Sequence, residues 1–243
     1  MKARIKILAA LAAVSLAMMA CGVSFDAVER SGKMVREERA VSGFNQVTLA
    51  GSGTLVITQG QNEGLVIEAD ENVLENIETR VVGDELKIGF KPGAAIFNTG
   101  PIYYYLEVED LERIDLSGSG DVEMQALDTN SLEVVISGSG DVQISNLQAE
   151  TLTLNISGSG SFDLDGEVTR QQIDISGSGK YRAADLRSQK ADVTISGSGD
   201  MQVWVEEGLV ISVSGSGDVE YYGNPTVNER ITGSGNIIAR GEK

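Results

Sequence analysis

Apolar residues alternate with polar residues along most of this chain, and the alternation continues through recurring glycines. In residues 132–144, one parity consists of apolar side chains and glycines: Leu132, Val134, Ile136, Gly138, Gly140, Val142 and Ile144. A period of two residues is typical of a β-strand that buries one face. The same parity holds around the other glycine-rich copies, so we predict that their apolar side chains and glycines face a common interior.

The tripeptide Gly-Ser-Gly recurs at a nearly constant spacing. Its copies begin at Gly51, Gly118, Gly138, Gly158, Gly177, Gly197, Gly215 and Gly233. From Gly118 onward the steps are 20, 20, 19, 20, 18 and 18 residues, and such a regular period indicates stacked structural units. A unit of this length is too short to bury its own apolar face, but stacked copies bury a continuous core.

We therefore predict an all-β fold, a single-stranded parallel β-solenoid with Gly-Ser-Gly rungs of about 20 residues and a more irregular N-terminal unit. Each rung is expected to consist of two short strands joined at a corner, where glycine relieves crowding on the inside. Residues 146–149 and their equivalents form the second corner. An antiparallel barrel of hairpins is the alternative, although near-identical repeats at one spacing favour parallel stacking in register.

The chain between the first two Gly-Ser-Gly copies is irregular. Asp70 is expected to cap one or two helical turns. Strands are predicted at 78–82, 85–90 and 102–108, and an exposed loop at 91–101. In the last of these strands the parity places Tyr104 inward, and it places Tyr103 and Tyr105 outward.

The first 40 residues are interpreted as a targeting segment and a tether, with structure beginning at Val41. A basic start precedes an apolar stretch that is too short to span a bilayer. The stretch ends at Cys21, the only cysteine of the chain, in a sequence that resembles the bacterial lipoprotein signal. The resemblance implies a signal peptide at 1–20, an acylated Cys21, a tether at 21–40 and the solenoid domain at 41–240. An ordinary secretory signal with a chance cysteine is the alternative.

The chain is strongly acidic, with 19 Lys and Arg against 36 Asp and Glu and a formal net charge of −17. Residues 1–20 carry three basic side chains and no acidic one, so the mature chain would have a charge near −20. Nucleic-acid binding needs clustered Lys and Arg, so nucleic acid is not expected as a partner. A charge this far from zero keeps a repetitive β-protein soluble.

The residue types argue against catalysis. The chain has no histidine and one cysteine, and its serines recur in every rung rather than forming one activated site. We predict a protein that is not an enzyme and needs no cofactor or metal, with glycoside hydrolysis by paired acids as the enzymatic alternative. The position after the glycines forms a column: Asp121, Asp141, Ser161, Lys180, Asp200, Asp218 and Asn236. The lysine in this column favours a solvated surface over a calcium ladder.

Two kinds of outward residue are candidates for a contact surface. The serines on either side of the first glycine of each copy would form hydroxyl columns, although serine also suits a tight corner through local hydrogen bonds. Aromatic side chains are stronger candidates because they dominate many binding sites. The candidate ligand-binding residues are Tyr103, Tyr105, Trp204, Tyr221 and Tyr222.

Several segments together resemble one bacterial family. They are the Val41-Ser-Gly-Phe-Asn-Gln-Val opening, the Gly51 copy, the stretch 72–88 with Gly83-Asp84-Glu85-Leu86-Lys87-Ile88, and the serial Ser-Gly-Ser-Gly-Asp phrases. Over about residues 41–239 the chain is similar to the putative auto-transporter adhesin, head GIN domain family. The resemblance implies a secreted or lipid-anchored β-solenoid of the cell envelope, and it implies no functional residues.

These observations predict a non-catalytic, lipid-anchored envelope protein that acts in adhesion or envelope interaction through a rigid acidic surface. The alternative is a periplasmic structural, accessory or glycan-binding protein. The expected partners are the membrane, through the N-terminal lipid, and a protein or glycan of the envelope. Gly22 stands where the lipoprotein resemblance would place Asp for inner-membrane retention, which points to the outer membrane, on its periplasmic or surface face.

Overall fold

The structure is a computed structural model that describes residues 27–28, 30–96 and 99–243. It is nearly all-β, with 74% of residues in strands that wind into a parallel β-solenoid of about six turns. The strands of the N-terminal unit are β1 (Ala27–Val28), β2 (Met34–Arg39), β3 (Gln46–Gln59), β4 (Gly64–Asp70), β5 (Ile77–Val82), β6 (Glu85–Phe90), β7 (Ala95–Ile96) and β8 (Tyr103–Val108). The strands that follow are β9 (Arg113–Met124), β10 (Leu127–Gly138), β11 (Asp141–Gly158), β12 (Ser161–Gly177), β13 (Lys180–Gly197), β14 (Asp200–Gly215), β15 (Val219–Tyr222), β16 (Thr226–Gly233) and β17 (Ile237–Gly241). A single helical turn, α1 (Glu71–Leu74), lies between β4 and β5.

Parallel pairing joins the repeats in register. Strands β9 to β14 follow one another through the sheet, and the first glycine of each copy lies beside its counterpart in the next rung. Gly138, for example, pairs with Gly118 on one side and with Gly158 on the other. The predicted parallel β-solenoid is confirmed, and its core is formed by the apolar parity of every rung.

The glycines are required by the close stacking of one rung on the next. Gly118 has a φ of 126°, in a region that residues with a side chain avoid. A Cβ on Gly118 would lie 2.5 Å from the carbonyl oxygen of Gly51 in the adjacent rung. The second glycine of a copy also faces the core, since a Cβ on Gly199 would lie 2.8 Å from Cγ2 of Ile175. Crowding at the corner therefore comes from the neighbouring backbone as well as from the interior.

In several rungs the second corner lies within a continuous strand. Strand β11 runs unbroken from Asp141 to Gly158, and its pairing with β12 shifts between Ile144 and Leu147. Asn146, at this shift, has a φ of 51°, a conformation that asparagine tolerates better than most residues. In strands β11 to β14 the chain runs unbroken through this corner, which corrects the prediction of two short strands for those rungs. A bulge bends a strand without ending its ladder, so the parity pattern alone did not show it. Between β9 and β10, and between β15 and β16, the second corner separates two strands as predicted.

The first Gly-Ser-Gly copy stacks directly on the second, although residues 60–112 separate them. Strand β3 pairs in parallel with β9 over its whole first half and most of its second. The intervening chain returns to the other edge of β3, where β6 and β8 pair in parallel with its two halves and add one more rung. Strands β5 and β4 then pair antiparallel with β6 and β8. This antiparallel layer ends the parallel stack at its N-terminal side.

The folded region begins before Val41. Strand β2 pairs antiparallel with β4, and the Asp70 carboxylate accepts hydrogen bonds from the backbone N–H groups of Ser31 (2.9 Å) and Gly32 (2.6 Å). Part of the segment expected to be a tether, 21–40, is thus an edge strand. Its charged sequence shows no strand pattern because an edge strand exposes most of its surface, and charged side chains are common there.

The other local predictions for the N-terminal unit are confirmed. The side chain of Asp70 accepts a hydrogen bond from the backbone N–H of Asn72 and caps α1. Tyr104 is buried, and Tyr103 and Tyr105 are exposed. The predicted loop 91–101 is an exception, because it contains the short strand β7, which pairs with β1. Within the described ranges, no helix is long and apolar enough to cross a membrane.

Candidate functional site

One outer surface of the solenoid carries a row of side chains that continues from strand to strand. Its members face outward from β8, from β3 and from the strand after each Gly-Ser-Gly corner. Neighbours in the row are register partners: Tyr105, Val56, Glu123, Gln143, Asp163, Arg182, Gln202 and Glu220. We call these eight residues the axial row. With about 4.8 Å between strands, the row is about 34 Å long and runs parallel to the solenoid axis.

Four shallow depressions follow the axial row. The first, of about 780 Å³, shares Val56 with the second, of about 550 Å³. The third, of about 530 Å³, shares Arg182 with the fourth, of about 380 Å³. The second and third are lined by Gln143 and Asp163, which are register partners on adjacent strands. The depressions therefore form one trough along the row.

Charge along the trough is mostly acidic, with free cations near its middle. The side chains of Arg182 and Lys180 are exposed, and neither makes a hydrogen bond or ion pair with any residue that the structure describes. At the far end, Arg240 donates a hydrogen bond of 2.5 Å to Glu220, which lowers the pKa of that carboxyl. Gln202 donates to the same carboxylate at 3.2 Å. The middle of the trough thus offers unused donors, whereas its end is already paired.

The acidic column after the glycines serves the backbone. Asp121 accepts a hydrogen bond from the N–H of Asp141 (3.0 Å), and Asp141 accepts one from the N–H of Ser161 (3.0 Å). Asp218 accepts likewise from the N–H of Asn236 at 2.8 Å. At a corner an amide can lose its ladder partner, so these carboxylates supply an acceptor from the preceding rung. Among the described residues, no group of three His, Cys, Asp or Glu side chains is placed to hold a metal ion.

Tyr103 and Tyr105 form an exposed aromatic pair at the N-terminal end of the trough. Their side chains are 37% and 36% exposed, their ring centroids are 6.1 Å apart, and their planes differ by 23°. The guanidinium carbon of Arg36 lies 5.5 Å from the Tyr105 ring centroid, and Arg36 is itself paired with Glu68 at 2.7 Å. The two rings are therefore stacked and partly exposed, and Arg36 covers part of the Tyr105 ring.

The other predicted aromatic residues lie at the C-terminal end. Trp204 and Tyr222 are register partners on β14 and β15 and are half-buried. The ammonium nitrogen of Lys243 lies 5.7 Å from the Trp204 ring centroid and 5.4 Å from that of Tyr222, so Lys243 covers part of this pair. Tyr221 packs against the core. The five candidates therefore do not form one patch: Tyr105 lines the trough beside Tyr103, Trp204 and Tyr222 pair outside its four depressions, and Tyr221 belongs to neither pair.

The predicted serine columns are present at the Gly-Ser-Gly corners. Those before the first glycine are exposed and in register: Ser117, Ser137, Ser157, Ser176, Ser196 and Ser214. They offer hydroxyl groups alone. The trough combines aromatic rings, amides and charges, and is therefore the stronger candidate for a binding site.

Sequence reasoning missed the polar members of the axial row, above all Gln143, Arg182 and Gln202. A signal was available, because each has outward parity two residues after the acidic column. It was not informative by itself, since polar residues are expected at outward positions of any strand. Cys21, the predicted lipidation site, lies outside the described residues, and its acylation stays a prediction.

Comparison with known proteins places the chain among bacterial adhesin-like proteins. The family described as "Putative auto-transporter adhesin, head GIN domain" matches residues 43–225. A solved structure of a "putative adhesin" from Bacteroides fragilis NCTC 9343 is 25% identical, with a TM-score of 0.83, over 86% of this chain and 98% of that chain. No curated protein sequence matches this chain.

Two solved structures from Parabacteroides distasonis ATCC 8503 share the fold. A "putative lipid binding protein" is 23% identical, with a TM-score of 0.74, over 88% of this chain and 99% of that chain. A "putative adhesin" is 23% identical, with a TM-score of 0.68, over 88% of this chain and 100% of that chain. Neither these structures nor the family is named as an enzyme. Because the family match covers well over half of the sequence, this chain belongs to the putative auto-transporter adhesin, head GIN domain family.

Proposed function

We propose that this protein is a lipid-anchored, non-catalytic adhesin of the bacterial envelope that binds its partner along the axial row. The trough is the observation that carries the proposal, because it is elongated, open to solvent and built on side chains that parallel strands hold in register. The family name supports a place at the cell envelope or surface. The names of the family and of the solved structures that the chain resembles support a binding role rather than catalysis.

The anchor is proposed from the sequence. Cys21 follows a basic and then apolar segment of the kind that directs export, and acylation there would tie the solenoid to a membrane. Only residues 22–33 separate Cys21 from the start of β2. An anchor at Cys21 would therefore hold the solenoid close to the bilayer.

Radiolabelling tests the anchor and the location together. Cells expressing the full chain are labelled with radioactive palmitate, fractionated, and treated with protease before and after the outer membrane is broken. We expect label in the native protein, no label in Cys21→Ser, and cleavage on intact cells. Absence of label in the native protein would exclude the anchor. Protection until the outer membrane is broken would exclude surface adhesion and favour a periplasmic accessory protein.

Binding of the purified protein to envelope fragments tests the adhesive role directly. The full chain, purified in detergent, is expected to sediment with envelope fragments from its own or neighbouring cells in a saturable manner. Charge reversal in the middle of the trough, Arg182→Glu, is expected to weaken sedimentation. Arg230→Glu is the matched control, since Arg230 is also exposed and lies on β16, away from the axial row. Equal loss in both variants would show that net charge, not the trough, governs association.

A further inference from the structure

We infer that the trough along the axial row binds a linear, uncharged polysaccharide whose chain runs parallel to the solenoid axis. This inference rests on the proposed adhesive function and specifies the chemistry of its partner. Three features of the described residues carry it: the shape of the trough, its hydrogen-bonding groups and its exposed aromatic pair.

The shape of the trough fits a long chain rather than a compact molecule. Its four depressions follow one another along a row of about 34 Å, at the regular spacing of parallel strands. Each depression is shallow and shares a residue with its neighbour or adjoins it through paired strands. A ligand with repeating units would make the same kind of contact on successive rungs, and linked weak contacts add to a useful affinity.

The hydrogen-bonding groups of the trough suit hydroxyl groups. Gln143 and Gln202 lie on either side of Asp163 and Arg182 in the axial row. An amide side chain both donates and accepts hydrogen bonds, a carboxylate accepts them and a guanidinium donates them. A sugar hydroxyl also donates and accepts, so it can pair with every member of this series. Arg182 is especially suited, because its side chain has no partner among the described residues.

The charge of the trough argues for an uncharged chain. Glu123, Asp163 and Glu220 are acidic members of the axial row. Its one cation is Arg182, with Lys180 beside it, and Arg240 pairs with Glu220. The acidic column beside it and the net charge of −17 add to a negative potential. Such a potential repels phosphate-containing polymers and acidic polysaccharides. An uncharged polysaccharide meets no such barrier.

The Tyr103–Tyr105 pair supplies a stacking surface for a sugar ring. The face of a tyrosine ring is electron-rich and attracts the C–H bonds that project from one side of a pyranose. The two rings are stacked, with centroids 6.1 Å apart and an angle of 23° between their planes. Arg36 lies over the Tyr105 ring, so a sugar ring would stack on the part of the pair that stays open to solvent. More than a third of each side chain is exposed. A sugar unit bound here would continue into the first depression, which Tyr105 lines.

A protein partner fits this surface less well. Stable protein interfaces have an apolar centre surrounded by polar groups. Between Tyr105 and Glu220, the axial row contains one aliphatic side chain, Val56, and otherwise amides and charges. The trough therefore lacks the apolar centre that a protein would need, whereas a polysaccharide uses mainly hydrogen bonds and one or two aromatic platforms.

Calorimetric titration of the full chain in detergent tests the inference. The probes are cellohexaose, maltohexaose and chitohexaose, the corresponding disaccharides, and polygalacturonate as an anionic polymer. We expect at least one hexasaccharide to bind, at least tenfold more tightly than its disaccharide, and polygalacturonate not to bind. Tyr105→Ala and Arg182→Ala should each weaken binding by tenfold or more. Arg230→Ala lies on β16, off the trough, and should bind as the native protein does.

The outcomes separate this inference from the proposed function. If no neutral hexasaccharide binds, or if Tyr105→Ala binds equally well, the polysaccharide inference is overturned. Sedimentation with envelope fragments that persists in that case leaves the adhesive role intact. If sedimentation is then abolished by protease treatment of the fragments, the partner is a protein. Tighter binding of polygalacturonate would also overturn the inference. Unfolding curves of each variant establish that a loss of binding is not a loss of fold.

Discussion

The carbonyl oxygen of Gly51 occupies the space that a side chain on Gly118 would need. A Cβ on Gly118 would lie 2.5 Å from that oxygen, and the φ of 126° at Gly118 is itself open mainly to glycine. The same relation links the first glycines of successive copies from Gly118 to Gly233. Close stacking of backbone on backbone at this corner therefore explains why the tripeptide recurs.

Replacement of one corner glycine should destabilise the whole domain. We expect Gly118→Ala to lower the free energy of unfolding by more than about 2 kcal/mol, because it combines backbone strain with a clash against an adjacent rung. The measurement is urea unfolding followed by circular dichroism. Gly208→Ala is the matched control: the nearest atom to its Cβ would be Cγ of Lys190 at 3.8 Å, and a change within about 0.5 kcal/mol is expected. Equal effects at the two sites would refute the stacking explanation.

A buried polar pair interrupts the apolar interior and should be replaceable. The Tyr181 hydroxyl donates to Oε1 of Gln171 at 2.6 Å, and both residues are fully buried; burial also raises the pKa of Tyr181. Gln171 pairs with Leu152 and Ala191 in the neighbouring rungs, so its position is otherwise apolar. Removal of one partner leaves the other unpaired, and Tyr181→Phe should cost about 1–3 kcal/mol of unfolding free energy.

The double variant provides the test of that pair. Tyr181→Phe with Gln171→Leu removes both polar groups. It also places leucine at position 171, the residue type of its register partner Leu152 in the preceding rung. We expect its unfolding free energy to equal or exceed that of the native protein, because neither polar group is then buried without a partner. Thermal unfolding of both single variants and the double variant completes the cycle. Additive destabilisation would show that packing volume, rather than hydrogen bonding, governs the site.

The acidic column is expected to stabilise the fold through single hydrogen bonds and not through calcium. Asp141 accepts from both the backbone N–H and the hydroxyl of Ser161, so Asp141→Ala should lower the unfolding free energy by about 1 kcal/mol. Asp200 occupies the same column, and its side chain makes no hydrogen bond with the described residues, so Asp200→Ala is the control with little expected change. Melting temperatures with millimolar calcium and with chelator should agree. A melting temperature that rises with calcium would show instead that the acidic column binds calcium.

Acid should weaken the attachment of residues 30–33 to the sheet through Asp70. Burial opposes ionisation of Asp70, but hydrogen bonds from Ser31, Gly32 and Asn72 outweigh it and lower the pKa of the carboxyl. A folded-state pKa below the unfolded value of about 3.9 stabilises the protein above that pH, and the contribution is lost as the pH falls through the folded pKa. The stability advantage of the native protein over Asp70→Asn should therefore shrink on acidification.

Urea unfolding at neutral pH and at successively lower pH measures that difference. Asp84→Asn serves as the control, because its exposed side chain makes no hydrogen bond with the described residues, and its effect should be small throughout. The difference in unfolding free energy between the native protein and Asp70→Asn is the quantity compared. If it stays constant from neutral to strongly acidic conditions, ionisation of Asp70 does not stabilise the fold.

Local patterns in the sequence determined much of the fold. The period of two residues showed which residues of each rung are buried, and it placed Tyr104 inside and Tyr105 outside. This was possible because successive side chains on any strand point to opposite faces. Near-identical copies favoured parallel stacking, since identical units bury their apolar faces best in register. The cap at Asp70 was equally predictable, because a helix start depends on its own short sequence.

The tertiary structure decided which distant residues become neighbours. The stacking of Gly118 on Gly51 across residues 60–112, and the placement of β2 against β4, depend on long-range pairing that no local period encodes. The same holds for the trough: Tyr105 and Arg182 lie in one row only because residues 60–112 fold back and place β8 beside β3. Parity shows which side of a strand a residue faces, but the register between strands decides what lies next to it. Tyr105 was therefore a candidate from the sequence, whereas its neighbours in the axial row, such as Gln143 and Arg182, were identified only by the register of the folded sheet.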